Sequence, residues 1–145
     1  MVLFKDRTLG FWIGFMAASL MLVANIVFLI VNHGDRTFSF ITFGLIIAGV
    51  LGELLVLLKN YFFAPILPAI AFGVALSMHF YLGFPTLSDV VNGVNFIGGN
   101  PQAVLVFGIT FTIGTIAALI SCFMKQSKSE GLNHTVHTSN ESGET

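Results

Sequence analysis

An all-α polytopic membrane protein is what this sequence predicts: four transmembrane helices packed as an antiparallel bundle, with a short amphipathic helix on the outer face. Three observations carry the prediction. Hydrophobic residues make up 55% of the 145 residues and charged residues only 9%, against roughly 25% charged in a soluble domain. Four apolar runs are each long enough to cross roughly 30 Å of hydrocarbon, which takes about 20 helical residues. The Lys and Arg residues sit at the ends of these runs and favour one side. So few charges would not coat a soluble surface of this size, whereas a lipid-facing surface needs none.

The spans fall at about 9–31, 40–58, 64–82 and 101–124, and residues 1–124 form one transmembrane domain. The first run carries no charge. A secretory apolar region is usually about 7–15 residues and ends at a small-residue cleavage site; this one is longer, and Ala17-Ala18-Ser19 lies in its middle. It reads as an uncleaved span. The second run is interrupted only by Glu53, and the third has His79 near its far end. Pro65 and Pro68 lie in the first turns of the third span, where a missing N–H costs least. Asn100-Pro101 opens the fourth as a capping side chain followed by proline at the first helical position. Tyr61, Phe62 and Phe63 mark the inner interface, and Phe80, Tyr81 and Phe84 the outer one.

With four spans, Lys5, Arg7, Lys59, Lys125 and Lys128 all face one side, and only Arg36, beside Asp35, faces the other. That bias places both termini in the cytoplasm. Between the third and fourth spans, Thr86-Leu87-Ser88-Asp89 has the pattern of a capping box. Leu87, Val90, Val91 and Val94 follow on one helical face. This stretch predicts the short outer helix, and Gly98-Gly99 a turn into the last span. Residues 125–145 are rich in Ser, Thr, Asn and Gly and predict a disordered cytoplasmic tail.

Lipid gives helices no hydrophobic reason to associate, so close packing through small residues matters more. Each span carries a ladder at i, i+4: Gly10, Gly14 and Ala18; Gly44, Ala48 and Gly52; Ala69, Gly73 and Ser77; Thr110, Gly114, Ala118 and Cys122. These predict a tight bundle, a homo-oligomer or both. Partners are thus the bilayer itself and a second copy or another membrane protein.

Polar groups inside the spans are the candidate sites, because a charge there costs several kcal/mol. Glu53 lies roughly 7–8 Å inside the cytoplasmic boundary at 1.5 Å per residue, too deep for a short side chain to reach water easily. It reads either as a titratable carboxylate that exchanges a proton for a cation, or as a carboxyl hydrogen-bonded to a neighbouring helix. His79 lies near the outer boundary at about the depth of Asn25; it reads first as an interfacial histidine bonded to water, and second as a partner of Asn25 in a hydrogen bond. Glu53 and His79 differ by roughly 15 Å in depth, so they form no dyad. Asp35, Arg36 and Asp89 form a candidate polar cluster on the outer face.

No catalytic or cofactor motif is present, and no basic patch interleaved with aromatics points to nucleic acid. The lone cysteine, Cys122, excludes an intrachain disulfide and a cysteine metal cluster and reads as a packing residue. No enzymatic role, no cofactor and no metal are expected. His134 and His137 lie in the tail, where such a pair more often binds nothing. Function then ranks as a non-enzymatic accessory or assembly bundle, and second as a small transporter or ion-conducting oligomer using Glu53.

Three stretches carry a resemblance: Gly34-Asp35-Arg36-Thr37-Phe38-Ser39, Glu53-Leu54-Leu55-Val56, and Pro85-Thr86-Leu87-Ser88-Asp89 with Asn92-Gly93-Val94-Asn95-Phe96-Ile97-Gly98-Gly99-Asn100. Through them the chain resembles uncharacterised small four-span integral membrane proteins of Gram-positive bacteria. The resemblance covers the four spans, implies a bacterial plasma membrane, and brings no activity or binding residues. Small multidrug exporters are similar in size but place their membrane glutamate in the first helix, where this chain has none. Quinone-reducing four-helix proteins need a Cys-x-x-Cys pair that is missing here.

Overall fold

The computed structural model describes residues 7–58 and 65–124. They form four helices: α1 (Leu9–Asn32), α2 (Phe40–Leu58), α3 (Ile66–Val91) and α4 (Pro101–Phe123). All four are long and apolar enough to span a membrane. They pack as a closed ring in which α1 meets α2 and α4, and α3 meets α2 and α4. Neighbours are antiparallel, so α1 and α3 stand on opposite corners. The α1–α4 seam is the most extensive and the α1–α2 seam the thinnest. One end of the ring holds the start of α1 and the end of α4 (the terminal end); the other holds the α1–α2 and α3–α4 connections (the loop end). Lys5, Lys59, Tyr61, Phe62, Phe63, Lys125, Lys128, His134, His137 and the tail lie outside the described residues.

Local chemistry sets the helix ends. Ser39 caps α2, its Oγ accepting from the Ile41 N–H at 3.1 Å. Asn100 caps α4 as expected, its Oδ1 accepting from the Ala103 N–H at 3.1 Å with Pro101 at the first position. α3 stops at Gly93, whose φ of 66° is one that side chains resist. The Gly93 N–H donates to Val90 O and the Val94 N–H to Asp89 O, the paired bonds of a Schellman stop.

The separate outer helix is not formed. Residues 83–91 continue α3 straight through Pro85, so the third span runs from 66 to 91 instead of 64 to 82. Thr86 and Asp89 use their polar groups for tertiary bonds instead of a cap. Thr86 Oγ1 donates to Gly98 O at 3.0 Å, and Asp89 Oδ2 accepts from the Ile97 N–H. With the α3–α4 connection as partner for both, the helix needs no break at Thr86.

The core of the ring takes a large, fully buried side chain from each helix: Met21, Ile46, Phe72 and Phe111. Glycines seat two of them. A methyl group on Gly49 would overlap the Phe72 ring, and one on Gly114 would lie 2.5 Å from Met21 Sδ. The small-residue ladders are therefore used unevenly. Gly10, Gly14 and Ala18 of α1 and Gly114 and Ala118 of α4 are buried in the bundle. In α2 it is Gly49 and Gly52 that are buried, while Gly44 and Ala48 face outward. In α3 Ala69 is buried and Ser77 faces outward.

Candidate functional site

Glu53 and His79, the two ionisable side chains buried within the spans, stand in different surroundings. Toward the terminal end stands Glu53, 5% exposed although it lies in an otherwise apolar helix. Its burial depends on Gly14 of α1: a Cβ there would come within 2.6 Å of Glu53 Oε1 and 2.5 Å of Ser121 Oγ. The missing side chain thus leaves a notch in which the carboxyl of α2 and the hydroxyl of α4 meet the α1 backbone. Ser121 Oγ donates to Gly10 O at 2.9 Å, tying the start of α1 to the end of α4. Glu53 Oε1 has no hydrogen-bond partner. One turn further out, the Arg7 guanidinium donates to Leu57 O at 2.7 Å and lies 4.9 Å from the centre of the Phe11 ring. Arg7 therefore covers the last turn of α2 without pairing with Glu53.

Ser121 is the member of this site that sequence reasoning missed. The α4 ladder ran through Cys122, but in its second half α4 buries Gly114, Thr115, Ala118 and Ser121. The i, i+1, i+4, i+7 pattern of those four small residues is the signal that would have found it.

Toward the loop end, His79 is fully buried in an aromatic box. Phe28 and Phe111 meet it edge-on, with ring centres 5.4 and 5.2 Å away, and Phe80 follows at 6.0 Å. Nε2 lies 3.0 Å from Val104 O. A carbonyl only accepts, so Nε2 carries the proton and Nδ1 is a bare acceptor, buried and unpartnered. Two glycines bring α3 and α4 close enough for this bond. A Cβ on Gly83 would overlap Val104, and one on Gly108 would press on Phe80 at 3.1 Å.

The Asn25–His79 bond read from their shared depth is absent. Asn25 is fully buried, but its amide donates to Phe43 O of α2 at 3.2 Å, leaving Oδ1 without a partner. The physical reason is the ring order: α1 and α3 occupy opposite corners, and the Phe28 ring lies against His79.

Asp35 and Asp89 take separate partners instead of each other. Asp35 Oδ1 accepts from both the N–H and the hydroxyl of Thr37, each at 2.9 Å, so it is spent on the α1–α2 turn. Asp89 binds the Ile97 N–H. The exposed Arg36 lines a separate groove on α3 with Ser77, Tyr81 and Phe84. The two connections do touch, because a Cβ on Gly99 would lie 2.9 Å from Thr86 Oγ1 and 3.5 Å from Asp35 Oδ1. Among the described residues, no three His, Cys, Asp or Glu side chains gather to hold a metal ion.

Comparison of the chain with family models, with characterised proteins and with solved structures finds no match. Four apolar helices packed on one another make the chain a small integral membrane protein.

Proposed function

We propose that this protein is a membrane-embedded accessory or assembly bundle of a bacterial plasma membrane, with both termini in the cytoplasm, that acts by association and performs no catalysis. The observation that supports this most is the shared apolar core, to which the four helices contribute the fully buried Met21, Ile46, Phe72 and Phe111. Glu53 and His79 make no bond to each other across that core. Outward-facing Gly44, Ala48 and Ser77 give a second membrane helix places to approach.

The test is purified protein in liposomes, with an entrapped pH-sensitive dye and an imposed potassium diffusion potential. The expected result is proton and cation leakage equal to that of empty vesicles, together with one discrete cross-linked species in native membranes. Flux well above empty vesicles would overturn the proposal.

A second reading is favoured by one specific observation, the orphaned Glu53 Oε1 in the Gly14 notch. A buried carboxyl that no residue satisfies is suited to take up a proton or a cation. On that reading Glu53→Gln abolishes a flux that the wild-type protein supports, while expression persists.

A further inference from the structure

Glu53 also lines a cavity of about 220 Å³ in the seam between α1 and α2. Phe15, Ser19 and Leu22 of α1 face Val50 and Leu54 of α2 across it. Ser19 brings no free donor, because its hydroxyl already donates to Phe15 O at 2.8 Å within its own helix. The wall is thus apolar except for Glu53, which is 5% exposed and whose unpartnered Oε1 lies at the Gly14 notch beside the cavity. The seam is also the thinnest of the four, and the lipid-facing side chains Leu51 and Leu54 flank its mouth.

We infer that this seam is a binding site for a small lipophilic cation, an alkylammonium whose charged head lies against Glu53 and whose chain runs out between α1 and α2 into the bilayer. Each part of the ligand follows from a part of the site. The sole ionisable group asks for a positive charge, and in a poorly solvated site an unpaired carboxylate gains most from one. The apolar wall asks for a hydrocarbon chain and tolerates no second polar group without a partner. The Phe15 ring in the wall favours a quaternary head over a strongly hydrated metal ion. Drug-sized ligands occupy roughly 300–1,000 Å³, so this cavity holds a head group and the first methylenes while the remainder stays in lipid. Entry is sideways from the membrane, between the exposed Leu51 and Leu54.

The inference deepens the second reading above, since both rest on Glu53 as a site for a cation; binding and flux can nevertheless fail separately. The experiment is equilibrium binding of radiolabelled hexyltrimethylammonium to the full-length protein in nanodiscs, with protein-free discs as background. Saturable binding is expected for wild type and for Glu53→Asp, and at least about tenfold weaker binding for Glu53→Gln. Ser19→Phe, which fills the cavity and leaves Glu53 in the sequence, should also abolish it. Unlabelled probe should displace the label, and 1-hexanol, with the same chain and no charge, should not. Size-exclusion profiles and helical circular dichroism matching wild type qualify each variant. Wild type binding no more than Glu53→Gln, or displacement by 1-hexanol as effective as by the cation, overturns the inference. Binding without any flux in liposomes leaves it standing and removes only the transport reading.

Discussion

The two ends of the bundle bury polar groups in opposite ways. At the loop end, His79 is enclosed by aromatic rings and belongs to the packing of α3 on α4: its Nε2 bonds Val104 O, and only Nδ1 is left unpartnered against the rings. At the terminal end, Glu53 is nearly as buried but makes no bond through Oε1, and it stands beside a cavity in the thinnest seam. Both depend on glycines that let backbones approach, Gly83 and Gly108 for His79 and Gly14 for Glu53. The difference teaches that burial alone does not mark a functional group. A buried polar side chain with a tertiary partner contributes to the fold, whereas one left unsatisfied beside open space is stabilised by nothing the protein supplies.

The largest effects should come from filling the glycine notches, and they test whether both ends are equally close-packed. Gly83→Val drives a side chain into Val104, and Gly14→Val drives one into Glu53 and Ser121. Each should destabilise by roughly 1–3 kcal/mol, as overpacking does. Gly44→Val, which meets nothing within 4 Å, should stay within about 0.5 kcal/mol of wild type. Thermal unfolding in one detergent, monitored by circular dichroism, ranks the three. A Gly44→Val protein as unstable as Gly83→Val would mean that the outward face of α2 is itself packed against another helix.

Next in size is a pair of substitutions expected to differ in sign. His79→Leu removes a hydrogen bond worth about 0.5–1.5 kcal/mol and edge-on ring contacts of similar worth, so it should destabilise by roughly 1–3 kcal/mol. Glu53→Met replaces an unsatisfied carboxyl by an apolar chain of similar volume, a change expected to be neutral or stabilising by about 1 kcal/mol. The same unfolding assay decides. If Glu53→Met costs as much as His79→Leu, Glu53 makes a bond that holds the bundle together, and its role as a binding group loses its support.

How far the sequence foretells this arrangement differs between the two ends. The four spans are legible because their signals are local: long apolar runs, the Asn100-Pro101 start and prolines in the first turn of α3 all act over a few residues. Glu53 and His79 stand out because ionisable residues in apolar runs are rare. What they touch is not legible, since it depends on the rotation of each helix and on the ring order, which no periodicity of one helix contains. Asn25 and His79 share a depth yet sit on opposite corners, so the hydrogen bond expected from depth alone goes instead to Phe43 and Val104. The Thr86-x-x-Asp89 pattern misleads for a related reason. It marks two residues able to bond a backbone nearby, and the backbone they bond belongs to residues 97 and 98.

The smallest effect is expected at the loop end, where Thr86 bonds the α3–α4 connection. Thr86→Val keeps the shape and methyl group of the side chain but removes the donor to Gly98 O, a loss of about 0.5–1.5 kcal/mol. Because Thr86 lies within α3 rather than at its start, the helix itself should persist and only the connection should loosen. Hydrogen exchange should accelerate at the Ile97 amide, which donates to Asp89, while amides around Glu53 exchange as in wild type. The sequence-based alternative makes a different forecast: were Thr86 the cap of a separate helix, the same substitution would fray residues 87–91 first. Faster exchange across 87–91 with residue 97 unchanged would therefore argue for a break at Pro85, and protection of 87–91 with loss at 97 for one continuous α3.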